Sequence, residues 1–437
     1  MKSIGLTHQK KQNLLILLCF LAYTLAYVGR YSYNANITLM IEHYGVTKAD
    51  TGMVSTFFFF AYGAAQLLNA IFCKFYPKRY VVAGSLLVSA GINLVLFFLP
   101  PFPIIKYLWL INGICQSVLW PSLMLTIGET LDQSLMKRAV LAMSLSVAAG
   151  TLIAYGGSAL FNTSLFSMPD SFRLSFILGT VMTAAIGVIW FLSYNTLTSE
   201  GYAQTAKKEE AANKAEKTRR GVQTALVGLL TVCAIFAIVD NFVKDGLNTW
   251  SPDILKTMFG FDDSISIIMT LVLPLFGVFG SVLALQTNRF LKDFRALVGF
   301  FYLILSACLV GLVFILSGCE ETLALGESVS GFAVVFVLIL FGLVSCLTHG
   351  INSVLTSIMP LAMRDRINSG FLAGLMNATC YVGSTASAYG LGKIADGKGW
   401  LFAIRILLIA SAAAMLLAGV VMLLKMLQRK PITEEKE

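Results

Sequence analysis

Apolar residues run along this chain in long, nearly uninterrupted stretches separated by short polar breaks. Runs of about 20 apolar residues match the hydrocarbon thickness of a bilayer, and they lack both the alternation of a strand and the single stripe of a soluble helix. The pattern predicts twelve spans, at 13–38, 50–73, 80–99, 104–128, 139–161, 172–194, 222–245, 264–287, 296–317, 329–357, 369–391 and 401–425. Between the sixth and seventh lies the only long polar segment, 195–221, whose mixed charges include Lys207, Lys208, Glu209, Glu210, Lys214, Glu216, Lys217, Arg219 and Arg220. It reads as a solvated, partly helical strap. The predicted fold class is therefore an all-α membrane protein of twelve transmembrane helices in two pseudo-symmetric six-helix bundles. The N-terminal bundle takes 1–194, the linker 195–221 and the C-terminal bundle 222–437.

Composition narrows the class further. Of 437 residues, 57% are hydrophobic and 13% charged, about half the charged share of soluble domains. A water-soluble enzyme is excluded. The net charge of +9 does not indicate nucleic acid, because the cations sit between apolar runs instead of forming a basic face. They report topology. The tails and even-numbered loops hold 23 of the 32 Lys and Arg residues, the opposite loops six, and Arg30, Lys244 and Arg405 fall within spans. That bias predicts an inner-membrane, multi-pass protein with both termini in the cytoplasm. Lys2, Lys10 and Lys11 before the first apolar run resemble a signal peptide, but the run is long and lacks a small-x-small cleavage site, so an uncleaved first span is expected. The eight cysteines are scattered through apolar stretches and suggest neither disulfides nor metal binding. No cofactor or metal is expected, nor is any reaction, because no P-loop, nucleophile elbow or ligand set appears.

Charge inside a membrane costs ~2.5–3.5 kcal/mol per central Lys or Arg, so such residues face a cavity or a partner. In the first span Tyr23, Tyr27, Arg30 and Asn34 recur at i, i+4, i+7 and i+11, on one helical face. In the seventh span Asp240 and Lys244 are four apart, a spacing that permits a salt bridge. Tyr62 and Gln66 form a similar polar pair in the second span. Arg30 lies 44 residues before Lys74 and Lys244 lies 45 before Arg289, each of these later residues opening a basic loop, so the two halves carry cations at matched depths. Two such cations suit a small anion, Arg offering a planar fork and Lys a point charge. The competing structural roles are an ion pair between the halves, or neutralisation of Lys244 by Asp240. Asp240 and His349 are candidates for proton coupling, although a salt bridge and helix packing respectively would also account for them. Trp120-Pro121 and Trp250-Ser251-Pro252 read as kink or interface features.

At these residues the sequence resembles the organophosphate:phosphate antiporter family of the major facilitator superfamily. The likeness runs over essentially the whole chain. It is carried by Tyr27-Val-Gly-Arg30-Tyr-Ser-Tyr-Asn34, Ala61-Tyr62-Gly63, Trp120-Pro121, Lys244-Asp-Gly-Leu-Asn-Thr-Trp250-Ser-Pro252, Tyr381-Val-Gly383 and the Asp396-Gly-Lys-Gly run before Trp400. The resemblance implies the major facilitator fold and substrate-binding roles for Arg30, Lys244, Tyr23, Tyr27, Tyr62 and Tyr381, with Gln66 where the family has a lysine. Lys244 stands where the family usually has Arg. The binding-site histidine of the fifth helix falls near Ala148 or Ala149, and the usual Gly and Asp of the loop after the second helix fall on Ala70 and Lys74. This weaker cation set leaves room for an anion less charged than a phosphate monoester.

The expected function is a secondary transporter of a small organic anion, exchange of an organophosphate for inorganic phosphate being one form it could take. The bundles would rock about a central site. A proton-coupled carboxylate or sugar-acid symporter is the nearest alternative, and a transporter-like ligand sensor the next, short tails favouring transport. The expected partners are the small anionic substrate, inorganic phosphate as counter-substrate and the bilayer; the chain is expected to act as a monomer without nucleic acid.

Overall fold

The computed structural model describes residues 7–163, 165–166, 168–199, 224–325, 329–363, 367 and 369–428. The helices are α1 (His8–Ala35), α2 (Ile37–Tyr44), α3 (Lys48–Phe72), α4 (Lys78–Phe97), α5 (Phe102–Ser117), α6 (Leu119–Thr130), α7 (Gln133–Phe161) and α8 (Leu174–Thr198), then α9 (Thr224–Phe259), α10 (Asp263–Thr270), α11 (Val272–Phe290), α12 (Phe294–Ala324), α13 (Gly331–Ser353), α14 (Met359–Ala362) and α15 (Ser369–Gln428). Among the described residues eleven stretches are long and apolar enough to span, and the last of these is broken at Gly399, whose φ of 78° leaves the helical region. Twelve crossings result, as the hydrophobic pattern predicts. Most of the expected 195–221 strap lies outside the described residues; α8 itself runs through 195–198.

Prolines decide where crossings break. A proline removes the bond to the carbonyl four residues earlier. Pro121 frees Ser117, the last residue of α5, and the crossing resumes as α6; Pro274 does the same at Thr270 between α10 and α11. The turn before Pro360 widens into a π-helix over Val354–Ile358. At Pro252, by contrast, α9 continues to Phe259, well past the expected end of the seventh span at 245. The carbonyl that Pro252 releases, that of Asn248, accepts a hydrogen bond from Tyr155 of α7 at 3.0 Å. A partner from another helix keeps the broken ladder satisfied.

The same pairings recur in both halves. Helix α1 packs on α7, α3 on α5 and α4 on α8; their counterparts are α9 on the first part of α15, α11 on α13, and α12 on α15. Between the halves, α3 lies along the first part of α15, and α7 meets α10 and α11. The α3 seam needs glycine: a Cβ on Gly52 would stand 2.3 Å from the Ala388 carbonyl oxygen, and one on Gly63 2.6 Å from the Cβ of Tyr381. Small residues let such backbones touch.

Polar contacts between the halves gather at one end. Lys48 pairs with Asp253, and Asp396 accepts from the backbone N–H groups of Lys48 and Ala49 at 3.0 and 2.8 Å. Lys256 binds Glu42 at 2.5 Å and Asp263 at 2.9 Å. Ser264 donates to the Asn162 carbonyl at 2.7 Å. Toward the other end a cleft of about 530 Å³ separates α7 from α11, reaching from Tyr31, Asn248 and His349 to Met136, Lys137 and Leu285. One end is sealed and the other is split.

Candidate functional site

Arg30 lies five residues before Ala35, the last residue of α1, directly below the seal. It is 7% exposed. One turn nearer the sealed end, Asn34 donates to Thr249 of α9 at 3.5 Å, a contact that bridges the halves. The Arg30 guanidinium stands 4.5 Å from the Phe58 ring centre, 4.8 Å from Tyr62, 5.1 Å from Tyr27 and 5.9 Å from Phe59. Its Nη1 donates to the Tyr27 hydroxyl at 3.3 Å. Aromatic faces attract cations, so the rings hold the charge with no carboxylate to neutralise it. Among the described residues no acidic side chain pairs with Arg30.

The predicted tyrosines close around this charge. Tyr62 of α3 and Tyr381 of α15 meet across the halves, ring centres 4.6 Å apart, and Tyr23 lies 5.1 Å from Tyr27. Tyr23 also packs against Trp120, 5.0 Å away, on the helix that Pro121 restarts. Gln66, one turn beyond Tyr62 toward the split end, is buried, and its Oε1 has no hydrogen-bond partner. The free space bounded by Arg30, Tyr31, Asn34, Ser55, Phe58, Phe59 and Trp109 is about 10 Å³, room for roughly one water. The wide cleft beside α7 and α11 and this small space share Tyr31 in their linings.

Lys244 corrects one expectation. It does not pair with Asp240. Its Nζ binds Asn241 Oδ1 at 2.5 Å and lies 3.9 Å from Asp245 Oδ1, and Asp245 in turn accepts from Ser384 of α15 at 2.5 Å. Asp240 is fully buried with neither carboxylate oxygen hydrogen-bonded. The rotamer that reaches Asn241 turns the ammonium away from it. His349 of α13 lines the cleft, its Nδ1 2.8 Å from the Ser345 carbonyl oxygen.

Over residues 19–388 the sequence matches the Major Facilitator Superfamily. The chain belongs to the Major Facilitator Superfamily. Among curated relatives it is similar to the membrane sensor protein UhpC of Escherichia coli strain K12, 25% identical over 103 residues, and to a probable hexose phosphate transport protein of Chlamydia trachomatis serovar D, 26% identical over 102 residues. These matches cover 24% and 23% of this chain, and 24% and 22% of the relatives, so the chain spans only about a quarter of the relatives' length. In structure it resembles a bacterial homologue of the human lysosomal transporter Spinster in an inward-facing and occupied conformation, with a TM-score of 0.71, 13% identity, and coverage of 93% of this chain and 96% of that one.

For this superfamily member, sequence reasoning missed three site residues. Phe58 and Phe59 box Arg30, but they sit in a run of four phenylalanines that has no face of its own. Asp245 adjoins Lys244 in sequence; adjacency on a helix points two side chains apart, so spacing favoured Asp240 instead.

Proposed function

We propose that this chain is a secondary active transporter that carries a small organic anion across a cell membrane. One observation carries the reading: Arg30 is a buried guanidinium at the junction of the two halves, without a carboxylate partner among the described residues, just below a sealed end. A membrane protein that retained such a charge for packing alone would pair it with an acid. In this reading Arg30 and Lys244 hold the anion, Tyr23, Tyr27, Tyr62 and Tyr381 orient it, and Gln66 tunes its charge. Binding draws the cations together, the seam opens at the sealed end, and the split end closes. The Lys and Arg bias assigns the split end, both termini and the 195–221 segment to the cytoplasm. An organophosphate is the first substrate class to test, supported by the likeness to a hexose phosphate transport protein.

The test is counterflow in proteoliposomes with inorganic phosphate, glycerol 3-phosphate, a hexose 6-phosphate and gluconate. Saturable exchange with at least one is expected, and it should be lost in Arg30→Ala. Wild-type exchange in a folded Arg30→Ala variant would overturn the reading. The likeness to UhpC favours a second reading, a ligand sensor. It predicts thermal stabilisation by one of these anions with no flux of any of them.

A further inference from the structure

Asp240 stands one helical turn before Lys244 on α9, with no solvent exposure and no hydrogen bond to either oxygen. The ionisable groups around it are Lys244 and Asp245 on its own helix, Tyr302 from α12 and Cys380 from α15. The Tyr302 hydroxyl is committed elsewhere, donating to the Phe236 carbonyl at 2.7 Å. His349 of α13 faces Lys244 and Asp245. Lys244 itself is turned toward Asn241 and Asp245. An ionised carboxylate left this way loses its hydration and gains no hydrogen bond, only the nearby charge of Lys244. Buried acids in that position take a proton instead.

We propose that Asp240 is a proton-binding site that competes with the anion for Lys244, so that proton and anion bind and leave together. This deepens the transport reading and rests on its paired cations; the proton site itself does not. The i, i+4 spacing lets Lys244 reach back to Asp240. With Asp240 ionised, the ammonium turns to it and the anion loses one of two cations. With Asp240 protonated, Lys244 is released toward Asn241, Asp245 and the junction where Arg30 stands. The anion, by engaging Lys244, removes the counter-charge that favours ionisation. Each ligand therefore strengthens the other to the same degree. One proton enters from water as one anion enters, and both leave on the far side; only the Asp240 O–H bond forms and breaks.

The test has two arms on the full chain. In lipid nanodiscs, infrared spectroscopy of the wild type at neutral pH should show a protonated-carboxyl stretch that is missing in Asp240→Asn. In Lys244→Gln the signal should persist to more alkaline pH, because the counter-charge is gone. Absence of the stretch, or an unchanged titration in a monodisperse Lys244→Gln, overturns the proposal. In proteoliposomes loaded with a pH dye and no internal substrate anion, net uptake of each of the four test anions that moves should carry about one proton, falling to background per anion in Asp240→Asn. Anion flux without protons in the wild type overturns the coupling and leaves transport standing. A carboxyl stretch with no anion flux upholds the proton site and overturns the transport reading.

Discussion

Arg30 and Lys244 do different work despite their equivalent helices. The guanidinium has a planar fork and sits among rings; the ammonium has a carbonyl and a carboxylate within reach. Arg30→Lys should therefore cut uptake by roughly 10- to 100-fold, the loss of a bidentate charged contact worth ~1.5–3 kcal/mol. Lys244→Arg should be tolerated within a few-fold in the same assay. Gln66→Lys adds a cation beside Tyr62 and should move preference toward phosphorylated anions; an unchanged ranking in competitive uptake would rule the position out as a selectivity determinant. The Arg30 face was legible because Tyr23, Tyr27, Arg30 and Asn34 recur with the helical period in an otherwise apolar span. Its aromatic box was not, because Phe57 to Phe60 fill every direction of one turn. The resting partner of Lys244 was not legible either. It depends on Ser384, brought in from α15, which holds Asp245 in place.

Single elements hold the seal, and their ends respond to different agents. The Tyr155 hydroxyl meets the Asn248 carbonyl only while α7 and α9 are together at that end. Tyr155→Phe deletes about 1 kcal/mol of that state alone, shifting the balance roughly 5-fold toward opening. Spin-label distances across the sealed end, broadening to longer values, would report it. At the opposite end Asp293 caps α12 through the Arg295 N–H and binds Lys425 of α15. Burial pushes this carboxyl up, but the Lys425 ammonium and the Arg295 amide and charge outweigh it and hold Asp293 below the usual range. A lowered value means its contribution is present above the ordinary carboxylate pKa, ~3.9, and lost as pH falls through the lower folded one. On acidification the melting temperature of the wild type should approach that of Asp293→Asn. The sequence marked the break at Pro121 through the Trp120-Pro121 pair and left the one at Pro274 unmarked. It misplaced the end of the seventh span, since Lys244, Asp245 and Pro252 all look like terminators until their tertiary partners are known.

At the scale of the molecule, the twelve crossings and the repeat of the halves could be read directly from apolar run length and matched cation depth. Which end is sealed could not, because sealing is made of pairs distant in sequence, such as Lys48 with Asp253 and Glu42 with Lys256. The side of the membrane is proposed from the charge bias instead. In a chain with its native cysteines replaced, Ala212→Cys should react with an impermeant maleimide only from the cytoplasmic face; labelling from outside would invert the whole assignment.

The ring cage around Arg30 has a consequence for leak. Aromatic faces are electron-rich, so the four rings that steady the guanidinium also repel an anion approaching face-on. A chloride ion would have to shed its water to enter a space that holds about one, and would gain a single cation while facing hostile π-clouds. It is too small to hold the Tyr62 and Tyr381 rings apart. A larger anion with several acceptor oxygens can part the rings and take hydroxyl donors from their edges while it meets the fork. Under the proposed anion-binding role of Arg30 the cage works as a dehydration filter, and the halide current through the purified protein should be negligible even where organic anions pass.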